Sequence, residues 1–213
     1  MLGLSVMYQP TKFKEERPEV LRELIRSHPL ALLLTSGSDG MIADLVPFIL
    51  REDGRLVAHV ARANPQVEAL QGVKECLVVF QGPQAYITPA WYATKQETGR
   101  VVPTWNYALV QAYGKPRVIE DTEWLRAQVE QLTNTMEATR KEPWAVSDSP
   151  EDYVQSQLRG IVGIEIEVTR LEGKWKVSQN RSIQDRETVR DGATASGDEA
   201  MARLVTEWGL SSY

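Results

Sequence analysis

The sequence predicts an α+β fold built around an antiparallel barrel. Three observations carry this. About six or seven short runs alternate apolar and polar residues, the period of half-buried strands. Most of them are joined by hairpin-type turns, and few strand–helix–strand units occur, which argues against a doubly wound parallel sheet. The 213 residues are 42% apolar and 25% charged, the balance of a soluble globular chain. There is no internal repeat and no linker long enough to force two large domains. The chain is read as a barrel domain over residues 1–190 followed by a C-terminal flexible segment and helix, 191–213.

The first helix begins at Pro18, which suits a first helical position. It sets Val20, Leu21, Leu24 and Ile25 on one face and stops at His28-Pro29. A strand follows at Leu30–Ser36, closed by the turn Gly37-Ser38-Asp39-Gly40. A second runs from Met41 to Leu50, with Pro47 marking an edge or a bulge. The Asp53-Gly54 turn leads to Arg55–Ala61, forming a hairpin. Asn64-Pro65 reads as an N-cap and first helical residue, and Gly72 ends that short helix. Cys76–Gln81 is a compact apolar strand. From Gly82 to Tyr107 the chain has little period of either kind and reads as a long irregular segment.

Strands are then expected at Ala108–Tyr113 and Pro116–Ile119. A helix from about Thr122 to Thr139 turns Leu125, Val129 and Leu132 inward. A shorter one has Ser149 as cap, Pro150 at its first position, Asp152 at its third and Gly160 past its end. Ile161–Val168 alternates apolar and acidic residues, a strand with one face in water. Gly173 turns the chain into Lys174–Ser178. Gly192–Gly197 reads as mobile, and Asp198 caps a last helix with Met201, Leu204, Val205 and Trp208 on one stripe.

Charge and rare residues narrow the function. Lys plus Arg total 24 against 29 Asp plus Glu, a net charge of −5. That disfavours broad capture of DNA, which needs a basic face. A single cysteine, Cys76, precludes an internal disulfide and zinc-type spacing, so the chain reads as cytoplasmic. The N-terminus MLGLSVMYQP lacks a leader's basic and apolar regions, and the longest apolar run, Leu30–Leu34, is far short of a membrane span. No metal site is expected from two histidines, His28 and His59. Dinucleotide, Walker, zincin and nucleophile-elbow motifs are absent. Glu165 and Glu167 share a strand face and read as solvated, and Cys76 reads as a buried, inert thiol.

Three stretches hold candidate chemistry. His59-Val60-Ala61-Arg62-Ala63-Asn64-Pro65 brings a strand into a helix start with an arginine on the join. Free amides of a first turn and a guanidinium both suit phosphate, although the same pattern serves as an ordinary cap. His59 alone reads as a hydrogen-bonded structural residue rather than a ligand. Val102-Pro103-Thr104-Trp105-Asn106-Tyr107 places an indole, a carboxamide and a phenol in succession, groups that suit a flat heteroaromatic ligand or a loop packed over a barrel end. Lys176-Val177-Ser178-Gln179-Asn180-Arg181 ends a strand in a polar cluster, a binding edge or a plain turn. The aromatic set is skewed, with six Trp against three Phe. Trp91, Trp105 and Trp175 track these stretches, Trp124 and Trp208 read as helix packing, and Trp144 lies in a loop.

In this order MYQP, ARANPQ, VVFQGPQAYITPAWY, VVPTWNY, GIVGIEIEV and KVSQNRS resemble the PaiB family of FMN-binding, negative transcriptional regulators, over roughly residues 7–190. The resemblance implies a split β-barrel, antiparallel and of Greek-key type with flanking helices, forming a homodimer with FMN at the subunit interface. It implies that Arg62, Ala63 and Asn64 face the FMN phosphate and that Trp105 and Asn106 belong to the signature. It further implies that Ser178, Gln179, Asn180 and Arg181 approach the flavin from the partner subunit. His59 is the axial-ligand candidate of an alternative, haem-handling reading. A cofactor-free regulatory dimer is a further alternative, because Leu45, Gln84 and Gln111 stand where the family commonly has histidine, and Val67 where it often has Trp. Gln keeps hydrogen bonding but loses titration near neutral pH. DNA is a partner by family resemblance only. Flavin-dependent oxidoreductase activity stays open, and no catalytic residue is assigned.

Overall fold

The computed structural model describes residues 7–37 and 40–210. Eight strands form one sheet: β1 (Lys14–Glu15), β2 (Leu30–Gly37), β3 (Gly40–Pro47), β4 (Ile49–Leu50), β5 (Leu56–Ala61), β6 (Cys76–Ile87), β7 (Thr104–Ile119) and β8 (Ile161–Lys176). The hydrogen-bonded order is β3-β2-β6-β7-β8-β5-β4, with β1 also on β8. The helices are α1 (Pro18–Ser27), α2 (Gln66–Gly72), α3 (Thr94–Thr98), α4 (Thr122–Glu137), α5 (Glu151–Arg159), α6 (Ile183–Ala195) and α7 (Glu199–Leu204), with a π-helical turn at Val205–Leu210. None among the described residues is long and apolar enough to cross a membrane.

The chain divides into two compact units, and β6, β7 and β8 each contribute to both. One unit comprises Ile25–Phe80 and Gln111–Leu171. Within it β2 pairs antiparallel with β3 and with β6, and β5 with β4 and β8. Ala31, Leu33 and Thr35 of β2 point inward and are almost fully buried. The opposite face is apolar as well: Leu32 stands across from Leu45 and Val79, and Leu34 across from Ala43 and Leu77. Leu30, Met41 and Leu45 leave 57%, 68% and 65% of their surface exposed there. The expected turn at Gly37–Gly40 has Ser38 and Asp39 outside the described residues, as are residues 1–6 of the N-terminal reading. Pro47 breaks the second strand as its type requires: the Phe48 amide turns away to donate to Pro29 O at 2.8 Å, and β4 starts afresh.

Asp121 caps α4 by accepting from the Trp124 amide at 2.7 Å. Leu125 of this helix packs with Val146, Val154 and Leu158. The Trp124 ring occupies the place a side chain at Gly163 would need. Two details differ from expectation. Helix α5 starts at Glu151 with Pro150 as its cap, while Ser149 closes the preceding 3-10 turn, its amide donating to Val146 O. Glu165 is not solvated: its side chain is 9% exposed and meets Arg117 at 2.7 Å, so only Glu167 keeps the watery side.

The other unit takes in the chain up to Leu24, Gln81–Val110 and the chain from Glu172. Its core gathers Ile87, Tyr92, Val177, Val189, Ala193, Met201, Ala202 and Val205, each at most 5% exposed. Burying each of its Ile, Val and Met side chains contributes about 1.5–3 kcal/mol. Asp198 caps α7 through the Met201 amide at 3.0 Å. Of the stretch read as mobile, Gly192–Ala195 is the last turn of α6, closed by Ser196 N donating to Gly192 O and Asp198 N to Ala193 O. The segment read as irregular is shorter than expected, because β6 runs on to Ile87 and β7 begins at Thr104. Gly173 makes no turn. It sits inside β8, paired with Glu15, where the Leu21 side chain takes the space of a Cβ. Glu15 is 5% exposed and accepts from the Arg17 amide, both ends of the Arg17 fork and Trp208 Nε1 at 2.6–2.9 Å. Trp208 stacks on Trp175, 5.8 Å between centroids.

Candidate functional site

The candidate residues fall into two groups, one in each unit. The first lies where β5 runs into α2. His59 is half-buried and its Nδ1 meets Gln128 Oε1 at 2.7 Å. Arg62 is an exposed side chain whose donors are largely committed: Nε reaches Arg159 O at 3.1 Å and one terminal nitrogen reaches Ile161 O at 3.3 Å. The other terminal nitrogen pairs with Glu120 at 3.3 Å. Arg159 O is the last carbonyl of α5 and Ile161 O the first of β8, so the guanidinium satisfies an acceptor the helix leaves open at its C-terminus and ties it to the strand that follows. Ala63 is exposed. Asn64 Oδ1 accepts from the Gln66 amide at 2.8 Å and Asn64 O from the Val67 amide, but α2 starts at Gln66 with Pro65 as its cap, one residue later than the expected Asn64 cap and Pro65 start.

The second group lies on β7 and after β8. The TWNY of this stretch is strand, the start of β7, not a loop over a barrel end: Trp105 is 54% exposed, Asn106 is 1% exposed and Tyr107 half-buried, a period of two. The structure brings Asn106 and Ser178 together. Asn106 Nδ2 donates to Ser178 Oγ at 2.9 Å with both residues buried, while Asn106 Oδ1 has no protein partner. Ser178 has φ 72°, a left-handed conformation that costs a non-glycine residue energy and turns the chain two residues past the end of β8. Gln179 folds back on the strand, donating to Trp175 O at 2.6 Å and accepting from the Val177 amide at 2.7 Å. Asn180 is exposed, and the Arg181 guanidinium lies 4.6 Å from the Tyr92 ring centre.

An open cleft of about 250 Å³ adjoins Trp105, lined by Gln81, Gln84, Trp105, Tyr107 and Leu109. Tyr86 meets the Trp105 ring edge-on at 6.0 Å. Two lysines join this group. Lys176 Nζ donates to Thr104 Oγ1 at 2.6 Å and to Trp105 O. Lys174, 9% exposed, donates to Tyr8 O at 2.8 Å, with the Tyr8 and Tyr107 rings 5.4 and 5.5 Å away. Sequence reasoning missed Lys174, Tyr86 and the cleft's Gln81. The signal that could have found the lysine is the alternation Lys174-Trp175-Lys176, which in a strand sets both lysines on one face and the indole on the other. Of the positions that lack the family's histidines, Leu45 and Gln84 are exposed and Gln111 accepts from the Tyr113 hydroxyl at 2.8 Å. No group of three or more His, Cys, Asp and Glu side chains among the described residues is placed to hold a metal ion.

An eight-stranded antiparallel sheet with flanking helices, with TWNY on β7 and SQNR in the turn that follows β8, defines a split barrel of the flavin-binding class. Residues 7–170 match the family described as "Putative FMN-binding domain", and the chain belongs to that family. It is 32% identical over 182 residues to the Bacillus subtilis protease synthase and sporulation protein PAI 2, covering 84% of this chain and 85% of that one. It is 36% identical to an Emericella nidulans protein, over 95% of this chain and 98% of the other. Among solved structures it resembles the FAD and haem binding protein of Mycobacterium smegmatis, with a TM-score of 0.58 at 18% identity over 76% and 73% of the two chains. It also resembles the flavocytochrome Anf3 of Azotobacter vinelandii, with a TM-score of 0.58 at 13% identity over 76% and 69%. Both likenesses show the fold, and the family read from the motifs is the one the chain belongs to.

Proposed function

We propose that this protein binds FMN as a homodimeric flavoprotein and that the flavin supplies redox chemistry which the protein orients and tunes. The observation that carries this is the Trp105 cleft in a chain whose residues 7–170 match an FMN-binding domain. The donor set fits the cofactor. Trp105, Tyr86 and Tyr107 offer flat faces, and Gln81 and Gln84 offer both donors and acceptors for a ring edge. These side chains bind and orient the ring and exclude water from one of its faces.

The cleft's size supports a dimer. Sites that enclose a ligand of this kind measure about 300–1,000 Å³, and one chain offers about 250 Å³. The apolar outer face of β2 and β3, with Leu30, Met41 and Leu45 exposed, is the surface a second copy would cover. Leu45→Lys is expected to convert a dimer to a monomer in light scattering; a monomeric wild type rules this part out.

The regulatory role implied by the PaiB resemblance ranks second. Residues 199–210, which follow the turn after α6, carry Glu199 and Glu207 against one cation, Arg203. A basic recognition element would look otherwise. We place the protein in the cytoplasm. The absorbance spectrum of the purified protein tests the main reading. Flavin bands, or quenching of added FMN fluorescence, support it; a Soret band that His59→Ala abolishes would replace it with the haem reading, and neither signal would leave a cofactor-free dimer.

A further inference from the structure

Positive charge in the unit that holds Trp105 is left without negative partners. Lys174, Lys176 and Arg181 come from the end of β8 and the residues just after it, and no carboxylate among the described residues forms an ion pair with any of them. Lys174 is nine-tenths buried, and its ammonium is met by one carbonyl and two tyrosine rings. Lys176 is half-buried on a hydroxyl and a carbonyl, and Arg181 lies on the Tyr92 ring. Three carboxylates of this unit have other partners. Asp185 accepts from the Thr94 amide and hydroxyl, Glu15 from Arg17 and Trp208, and Glu172 from the Met7 amide.

Burying like charges together is unfavourable unless something compensates them. The cost shows in Lys176, whose ammonium is pushed below its ordinary range by burial first and by the Lys174 and Arg181 charges next. The aromatic rings around the trio return only part of this. Arg62, the expected phosphate partner, is by contrast already tied to Glu120 and two carbonyls.

We infer that Lys174, Lys176 and Arg181 form an oxyanion site, built to take a phosphate group beside the Trp105 cleft. Three donors on a compact ammonium, two of them here, and one planar guanidinium suit a multidentate oxyanion. The phosphate has two possible sources with the same chemistry: the one carried by FMN, or one on a separate small ligand that meets the flavin. The inference rests on the flavin reading only for its first source.

The test titrates the full-length protein at low salt with inorganic phosphate, FMN and riboflavin, following tryptophan and flavin fluorescence. Wild type is expected to bind phosphate. Lys176→Gln and Arg181→Gln are each expected to weaken that binding by about tenfold or more, the scale of one charge-assisted hydrogen bond. Lys176→Arg should restore part of it. Arg190→Gln on α6, whose guanidinium pairs with Asp191, should leave it unchanged. Thermal melts of each variant verify folding.

A wild-type preference for FMN over riboflavin that closes in the two variants assigns the site to the flavin's own phosphate. Equal binding of the two flavins, with phosphate binding intact and non-competing, assigns it to a separate ligand. Flavin binding with no phosphate response, or variants indistinguishable from wild type, overturns the site while the flavin reading stands. Phosphate binding without binding of either flavin overturns the flavin reading while the site stands.

Discussion

Glu15→Gln should cost this protein about 2–3 kcal/mol at neutral pH and much less in acid. Burial alone would raise the Glu15 carboxyl, but the hydrogen bonds from Arg17 and Trp208 outweigh it and hold the group at about 2, against an ordinary 4.5. A displacement of that size corresponds to about 3 kcal/mol of folding free energy once the carboxylate is ionised, and the half-exposed Arg17 trims it. The direction in pH follows from the sign. A depressed carboxyl stabilises the fold fully above its unfolded value and loses that contribution as pH falls through the folded one. The difference between wild type and variant is therefore largest above about pH 5 and fades progressively toward pH 2. Urea unfolding of both proteins at neutral pH and near pH 3, followed by the fluorescence of the Trp175–Trp208 stack, measures it. A difference below about 0.5 kcal/mol at neutral pH, or one of equal size in acid, would refute the assignment of a buried, ionised carboxylate here.

Gly163→Ala should lower the melting temperature by several degrees, because the Trp124 ring fills the space of the new methyl and overpacking costs about 1–3 kcal/mol; an unchanged melt would show that the ring moves freely. Cys76 is 3% exposed and burial pushes its thiol up to about 12, so the native protein should resist a thiol-specific reagent at neutral pH and react fully in denaturant. Rapid labelling of the native protein would contradict its place in β6. Arg62→Ala should destabilise by no more than about 1 kcal/mol, since the guanidinium is well exposed and its contacts are screened; a loss above 3 kcal/mol in chemical unfolding would show a deeper role.

How far the residues announce the structure depends on the kind of signal. Helix starts with a proline or an acidic cap, as at Pro18 and Asp198, are legible because the cap is local. The strands were cut short wherever a glycine or proline interrupted the pattern. Gly82-Pro83 and Gly173 lie inside β6 and β8, and their reasons are distant: Leu24 and Leu21 pack where side chains would have stood. Helix α6 was missed because only Asp185, Val189 and Ala193 bury themselves, too few to make an apolar stripe. The burial of Glu165 depends on Arg117, 48 positions earlier. The motifs themselves were visible, as was the pairing of residue types suited to a flat ligand. That Arg62 closes α5 while unpaired cations gather around Lys176 depends on the fold alone.

The two-residue strand β1 has a bearing on how the chain comes to be folded in time. Its partners on β8 are Gly173 and Lys174, and Trp208 closes the same corner on Glu15. At about 5–20 residues added per second, Lys14 and Glu15 wait on the order of ten seconds or more for their strand partners to emerge from synthesis. Until then Glu15 has Arg17 nearby but neither strand nor indole. A nascent chain stalled before residue 173 would expose this N-terminal segment to proteases, and one that reaches Trp208 would seal it.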